Sequence, residues 1–194
     1  MPAEERVLLL AGGVGGARMA EGLAACLPAG ALTIVANVGD DETFYGLHVS
    51  PDVDTLIYTL SGRIDRSRGW GVAGDGLRAQ GVLADLGAPV WMQLGDSDLG
   101  LHIWRSWQLA QGRRIGEITE IQCARFGARA RVLPVTDDRL RTKLMTADGW
   151  MDFQSWFVGA RCAPRVEAIE YRGAGDAPPR RTAFWRRYPP PRRS

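Results

Sequence analysis

Apolar and polar positions along this chain fall into blocks whose spacing changes twice. Val7 to Ala11 is a continuous apolar run of strand length and predicts a strand buried on both faces of a parallel sheet. It ends in Gly12-Gly13-Val14-Gly15-Gly16, which reads as a tight backbone turn. Arg18 to Leu27 then suit a helix stopped by Pro28-Ala29-Gly30. Leu32 to Asn37 is a second apolar strand, and it runs into Val38-Gly39-Asp40-Asp41. This is a right-handed β-α-β start, with a ligand crevice expected beyond the carboxyl ends of its strands.

Ser50-Pro51-Asp52 has the chemistry of a helix start: a capping serine, a proline at the first helical position and an acid near the positive end. That helix is predicted to end at Ser61-Gly62, ahead of a glycine-rich loop over Ile64 to Asp75 carrying Arg66, Arg68 and Trp70. Leu77 to Leu86 predicts a helix and Pro89 to Leu94 a short strand. Leu99 to Ala110 and Ile115 to Phe126 show the three- and four-residue spacing of two more helices. The pattern then becomes strand-like. Arg131 to Val135 is followed by a hairpin, Leu144 to Thr146 and Trp150 to Phe153 around Asp148-Gly149, and by Val166 to Tyr171. The fold class is therefore α/β: a parallel sheet with helices on both faces and a small antiparallel hairpin subdomain, the parallel sheet being incomplete. Residues 1–173 read as one domain. Residues 174–194 read as a Pro/Arg-rich tail, either disordered or translated out of frame.

Charge alters this picture in one respect. The formal net charge is +2, but Arg180 to Ser194 contains six Arg and no acid, so residues 1–179 hold 18 Lys and Arg against 22 Asp and Glu, a net of −4. A nucleic-acid-binding reading would rest on the tail alone, and no nucleic-acid partner is expected. The three cysteines are far apart and read as reduced thiols. No secretory signal is read, and no run approaches the roughly 18 apolar residues of a membrane span. A cytoplasmic protein without a membrane partner is expected.

Four stretches carry candidate chemistry. The glycines Gly12, Gly13, Gly15 and Gly16 offer bare N–H groups at a helix start, a natural anion site, although they match neither the dinucleotide fingerprint nor the Walker motif. Asn37 with Asp40 and Asp41 places acids at a strand end, where they suit a ribose hydroxyl or a hard divalent cation, or form a plain solvated turn. In Ser50-Pro51-Asp52-Val53-Asp54 a first-turn charge explains Asp52, while Asp54, one turn in, is placed to face the crevice beside Asp40. Leu94-Gly95-Asp96-Ser97-Asp98 brings further acids to the same edge, with His102 and Arg105 on one helix face. Acids converging on strand ends point to metal-assisted phosphate chemistry.

Taken in order, several stretches resemble one family. They are Gly12-Gly-Val-Gly-Gly-Ala17, Asn37-Val-Gly-Asp-Asp41, Ser50-Pro-Asp-Val-Asp-Thr55, Arg68-Gly-Trp-Gly71, Leu94-Gly-Asp96, Leu133-Pro134 with Asp137-Asp138, and Phe153-Gln154 with Trp156. The chain resembles the CofD family, 2-phospho-L-lactate transferases of deazaflavin coenzyme (F-420) biosynthesis, over about residues 7 to 173. The resemblance implies a Rossmann-like fold, Mg²⁺ as cofactor and a homodimer. It also implies transfer of a 2-phospholactyl or phosphoenolpyruvyl group from a guanosine diphospho donor to the deazaflavin precursor Fo, with release of GMP. By resemblance Asp54 contacts Fo, Asp40 and Asp54 are the metal ligands, and the position of Gln93 is a second acceptor contact. From their placement, Asp40 and Asp54 are read as the catalytic carboxylates, and Asp96, His102 and Arg105 join the glycines and Asn37 in substrate binding.

This sequence departs from the family pattern at Gln93 and Ser97, where a cation is usual, and at Gly76 and Leu77, where a threonine and an aromatic are usual. A further strand and a Ser-Asn-Pro segment that helps hold the guanosine donor have no counterpart here, so the 194-residue form is expected to be weakly active or inactive. Two other readings stay open. One is a non-enzymatic nucleotide-sugar sensor of the CofD-like gluconeogenesis-factor type, against which the Ser-Pro-Asp-Val-Asp stretch speaks. The other is an NAD-dependent oxidoreductase, against which the register of the glycines speaks.

Overall fold

The computed structural model describes residues 6–175. The chain begins as β1 (Val7–Ala11), α1 (Gly13–Cys26) and β2 (Leu32–Ala36), then makes a hairpin of β3 (Glu42–Phe44) and β4 (Leu47–Val49). Four helices follow: α2 (Pro51–Leu60), α3 (Arg78–Asp85), α4 (Asp96–Ala110) and α5 (Ile115–Phe126). Then come β5 (Arg131–Pro134), β6 (Arg141–Thr146), β7 (Gly149–Asp152), a π-helical turn Ser155–Gly159 and β8 (Ala168–Arg172).

The parallel sheet has the order β1-β2-β5, and an antiparallel sheet has the order β7-β6-β8. Register puts Leu9, Ile34 and Val132 side by side on one face of the parallel sheet. That face closes on Ala17 and Ala20 of α1 and on Val53, Leu56, Ile57 and Leu60 of α2. Every residue of α2 from Asp52 to Leu60 is buried, so this helix is a core element on all sides. Truncating Leu56 there costs about 2–5 kcal/mol.

The α/β class with a parallel sheet and a small antiparallel sheet is as the sequence predicts, and α5 ends at Gly127 in the left-handed conformation (φ 72°). The strand β1 is not buried on both faces, since Leu10 is 65% exposed. Helix α1 begins at Gly13, so Gly15 and Gly16 are helical rather than part of a turn. Gly16 is there for packing: a Cβ on it would lie 3.0 Å from that of Ala11.

Pro89 to Leu94 forms no strand. Its carbonyls are taken by side chains, Pro89 by the Tyr45 hydroxyl at 2.5 Å and Met92 by the Gln80 amide at 2.5 Å. Helix α4 starts at Asp96 rather than Leu99, because Asp75 accepts the N–H groups of Ser97 (2.8 Å) and Asp98 (3.1 Å). The β3–β4 hairpin is not predicted from sequence; Tyr45 and Gly46 both take positive φ, the conformation of a two-residue primed turn. Cys26, Cys123 and Cys162 are free. The expected tail beyond 175 lies outside the described residues.

Candidate active site

The carboxyl ends of β1 and β2 and the start of α2 meet around Asn37. Asp52 ties the three together. Its Oδ1 accepts the Gly13 N–H at 2.8 Å and its Oδ2 accepts from the Asn37 amide at 2.9 Å. The same amide nitrogen donates to Asp40 Oδ2 at 3.2 Å, while Asn37 Oδ1 accepts the Gly39 N–H at 2.9 Å. Gly12 must be glycine here, because a Cβ would sit 2.8 Å from Asp52 Oδ2. Gly13 has a φ of +64°, the left-handed region that favours glycine.

Two carboxylates thus flank one amide, and neither has a cationic partner among the described residues. The consequence shows in Asp40. Burial first, and then the charge of Asp52, raise its pKa to about 6.

Asp54 has a different fate. Its carboxylate is held by both Nη atoms of Arg105, with Nη1 3.0 Å from Oδ2 and Nη2 on Oδ1. Arg105 is 0% exposed and also donates to the His48 carbonyl at 3.4 Å. Its guanidinium is held above its ordinary pKa by the Asp54 charge, against burial, which pulls the other way. His102 lies between two acids: Nδ1 is 3.8 Å from Asp54 Oδ2 and Nε2 is 3.3 Å from Asp98 Oδ1. The Tyr58 hydroxyl donates to Asp98 at 2.6 Å, and burial keeps that phenol protonated well above its usual range.

Ser50 does not cap its own helix with its side chain. Its hydroxyl donates instead to Asp41 Oδ1 at 2.6 Å, while its N–H donates to Asp54 Oδ2 at 3.3 Å. Asp41 turns away from Asp40 and lines a second, smaller cavity of about 330 Å³ with His48 and Arg141. Burial raises the Asp41 carboxyl well above the carboxylate range and lowers His48 to about 4.

Gly12, Gly13, Asn37, Asp40, Asp52 and Asp54 form one end of a cavity of about 1100 Å³. Gln93 and His102 line it as well. The rest of the lining is largely aromatic and apolar, from Trp70, Trp91, Met92, Phe153, Phe157 and Val158 with Tyr58. It adjoins the acids, since the Gln154 amide donates to the Asp40 carbonyl at 3.4 Å. Arg105 lies behind Asp54 and does not line the cavity, nor do Gly15, Gly16 and Asp96. Asp96 instead accepts the N–H groups of Ala79 (2.9 Å) and Arg78 (3.4 Å) at the start of α3. Sequence reading missed Asp52 as the central carboxylate, because ordinary helix-start chemistry accounts for it. It also missed Arg161, which lines the cavity. The only sequence signal for the aromatic wall lay in the Arg68-Gly-Trp-Gly71 and Phe153-Gln154 stretches.

No group of three or more His, Cys, Asp or Glu side chains among the described residues is arranged to hold a metal ion. A Mg²⁺ ion at a phosphate site needs less, since one or two carboxylates suffice and water and phosphate oxygens complete the shell. Asp40 and Asp52 fit that demand. Asp54, expected from sequence to share the ion with Asp40, is paired with the Arg105 cation, whereas Asp52 accepts only from neutral N–H groups. Among the described residues no helix is long and apolar enough to cross a membrane.

Comparison with known proteins bears on this geometry. A family model described as 2-phospho-L-lactate transferase CofD matches residues 7–184. A phosphoenolpyruvate transferase from Streptomyces griseus is 39% identical over 179 residues, covering 90% of this chain and 56% of that protein. A 2-phospho-L-lactate transferase from Methanosarcina mazei is 35% identical over 171 residues, covering 88% of this chain and 56% of its own length. The chain thus spans about half the length of these curated relatives. Among solved structures, a UPF0052-family protein from Bacillus halodurans superposes with a TM-score of 0.58 at 14% identity, over 91% of this chain and 53% of that one; it shares the fold. A family model running from β1 past β8, and relatives this similar over nearly nine-tenths of the sequence, establish that the chain belongs to the CofD family.

Proposed function

We propose that this chain carries the acceptor and metal side of a transferase. In this reading it moves a phosphoenolpyruvyl or 2-phospholactyl group from a guanosine diphospho donor to Fo in F-420 biosynthesis, releasing GMP. The observation that carries the reading is one cavity whose lining joins two chemistries: glycine N–H groups and paired acids, and beside them a broad aromatic wall. The first suits a diphosphate with a divalent cation, the second a flat deazaflavin ring.

Asp40 and Asp52 would hold Mg²⁺, which supplies neutralisation of the diphosphate charge. The ribityl hydroxyl of Fo attacks the phosphorus that bears the three-carbon group. A new O–P bond forms, the bond from that phosphorus to the bridging oxygen breaks, and GMP departs with the oxygen. Asp54, paired with Arg105, is suited to accept a hydrogen bond from the attacking hydroxyl. The proton that hydroxyl loses passes to Asp54 Oδ2, the general base in this reading, with the His102 imidazole beside it at 3.8 Å.

Fo fluorescence tests the acceptor half of the reading. Stacking on Trp70 and Trp91 predicts saturable quenching, and a chain that leaves Fo emission unchanged contradicts it. GMP release that needs both Fo and Mg²⁺ tests the transfer itself.

A further inference from the structure

The aromatic end of the cavity holds a charge that the proposed chemistry has not used. Among the described residues Arg161 is the one Lys or Arg side chain lining the cavity, against four carboxylates, those of Asp40, Asp52, Asp54 and Asp98. It has no hydrogen-bond or ion-pair partner among the described residues, unlike the buried Arg105. Its backbone is unusual too. Arg161 and Cys162 both sit in the left-handed region, at φ 53° and 59°, where a non-glycine residue is strained.

The surrounding turn enforces that conformation. The π-helical turn ends with Ala160 N–H on the Ser155 carbonyl (2.8 Å), and Cys162 N–H reaches back to the Trp156 carbonyl (2.9 Å). The Trp156 indole donates to the Pro164 carbonyl at 2.8 Å and fastens the far side. Gly159 lies against the Trp91 indole, where a Cβ would fall at ordinary contact distance, 3.4 Å. The same turn brings Phe157, Val158 and Arg161 to the cavity wall. Strain held in place by several hydrogen bonds is a pattern found where a side chain must be aimed.

We infer that Arg161 receives the carboxylate of the three-carbon group being transferred, and so sets specificity for an acid-bearing phosphate ester. The inference rests on the transferase reading above. Both candidate groups, phosphoenolpyruvyl and 2-phospholactyl, carry a carboxylate beside the phosphate. The four carboxylates that line the cavity repel a free carboxylate. Arg161 is where that charge finds a partner, and a guanidinium offers the paired donors that match a carboxylate.

The test compares two small ligands on the full chain with Mg²⁺ present: phosphoenolpyruvate, and ethyl phosphate, which lacks the carboxylate. Each is titrated by ligand-observed NMR against wild type, Arg161→Gln and Arg161→Lys. Wild type is expected to prefer phosphoenolpyruvate by about tenfold. Arg161→Gln should lose that preference to within about twofold and leave ethyl phosphate binding unchanged, and Arg161→Lys should retain part of it. Arg161 is exposed, so these variants keep the fold, which their thermal transitions check. A preference that survives in Arg161→Gln overturns the role of Arg161 alone. A wild type that binds neither phosphate ester overturns the transferase reading along with it.

Discussion

The two ends of the cavity are built by different means. At the glycine end each polar group is fastened to another element: Gly13 to Asp52, Asp52 to Asn37, Asn37 to Asp40, and Asp54 to Arg105. Apart from Arg105 on α4, these residues sit at or just after strand ends, or in the first turn of helices, one of them buried on all sides. The aromatic end comes from loops and a π-helical turn, and its side chains are partly open, with Trp70 at 40%, Trp91 at 38% and Phe157 at 52% exposure. Phosphoryl transfer depends on placing charge within fractions of an ångström, which the fastened end can do. Stacking on a flat ring tolerates adjustment, which the open end permits.

A smaller contrast lies inside the fastened end. Asp52 and Asp54 stand two residues apart in one helical turn, yet Asp52 faces the glycines and Asp54 faces a buried cation. Asp52 is held by neutral N–H donors and keeps its charge uncompensated, while Asp54 is held by a cation.

Breaking the fastened end should have the largest effect. Arg105→Met leaves the Asp54 carboxylate buried without a counter-charge, and a loss of about 3–5 kcal/mol is expected in urea unfolding. A loss under 1 kcal/mol would mean that the pair does not organise the site. Gly12→Ala places a methyl against Asp52 Oδ2, so stability should fall by about 1–3 kcal/mol and divalent-cation binding should weaken more than tenfold. Native-like cation binding in that variant would show that Asp52 is not the pivot.

On the open side, Trp91→Ala should weaken Fo binding by about 0.5–1.5 kcal/mol while leaving cation binding as it was. Equal losses of both ligands would erase the distinction between the ends. Arg161→Gly should raise stability by about 1 kcal/mol, because glycine accepts the left-handed backbone that arginine resists.

The second cavity offers a pH test. The chain has two histidines, and burial holds His48 at about 4 against an ordinary value of 6.5. Between those values the folded chain binds fewer protons at His48 than the unfolded chain does. The stability tied to a neutral His48 is therefore present above pH 6.5 and is lost as pH falls toward 4. Histidine NMR should show the His48 imidazole titrating near pH 4, and a midpoint near 6.5 would refute its burial against Arg105.

Much of the scaffold was legible from residues alone because its signals are local. Pro51 fixes the start of α2, Gly127 the end of α5, and unbroken apolar runs mark β1 and β2. What was not legible depends on distant partners. The roles of Asp52 and Asp54 separate because Arg105 lies 51 residues beyond Asp54, and no spacing rule announces that pairing. Pro89 to Leu94 has strand composition but finds side-chain donors rather than a neighbouring strand. Asp96 belongs to the right motif, yet the start of α3 uses up its oxygens.

We propose that Asp40 and Asp52, rather than Asp54, form the cation-binding pair. Manganese titration followed by electron paramagnetic resonance tests it directly, since bound and free Mn²⁺ give distinct signals. Wild type is expected to bind Mn²⁺ saturably, and more tightly as pH rises through about 6, where Asp40 ionises. Asp40→Asn and Asp52→Asn should lose at least tenfold in affinity, while Asp54→Asn, in those molecules that remain folded, should bind Mn²⁺ as wild type does. The opposite pattern, with Asp54→Asn losing the ion and Asp52→Asn keeping it, would contradict the account.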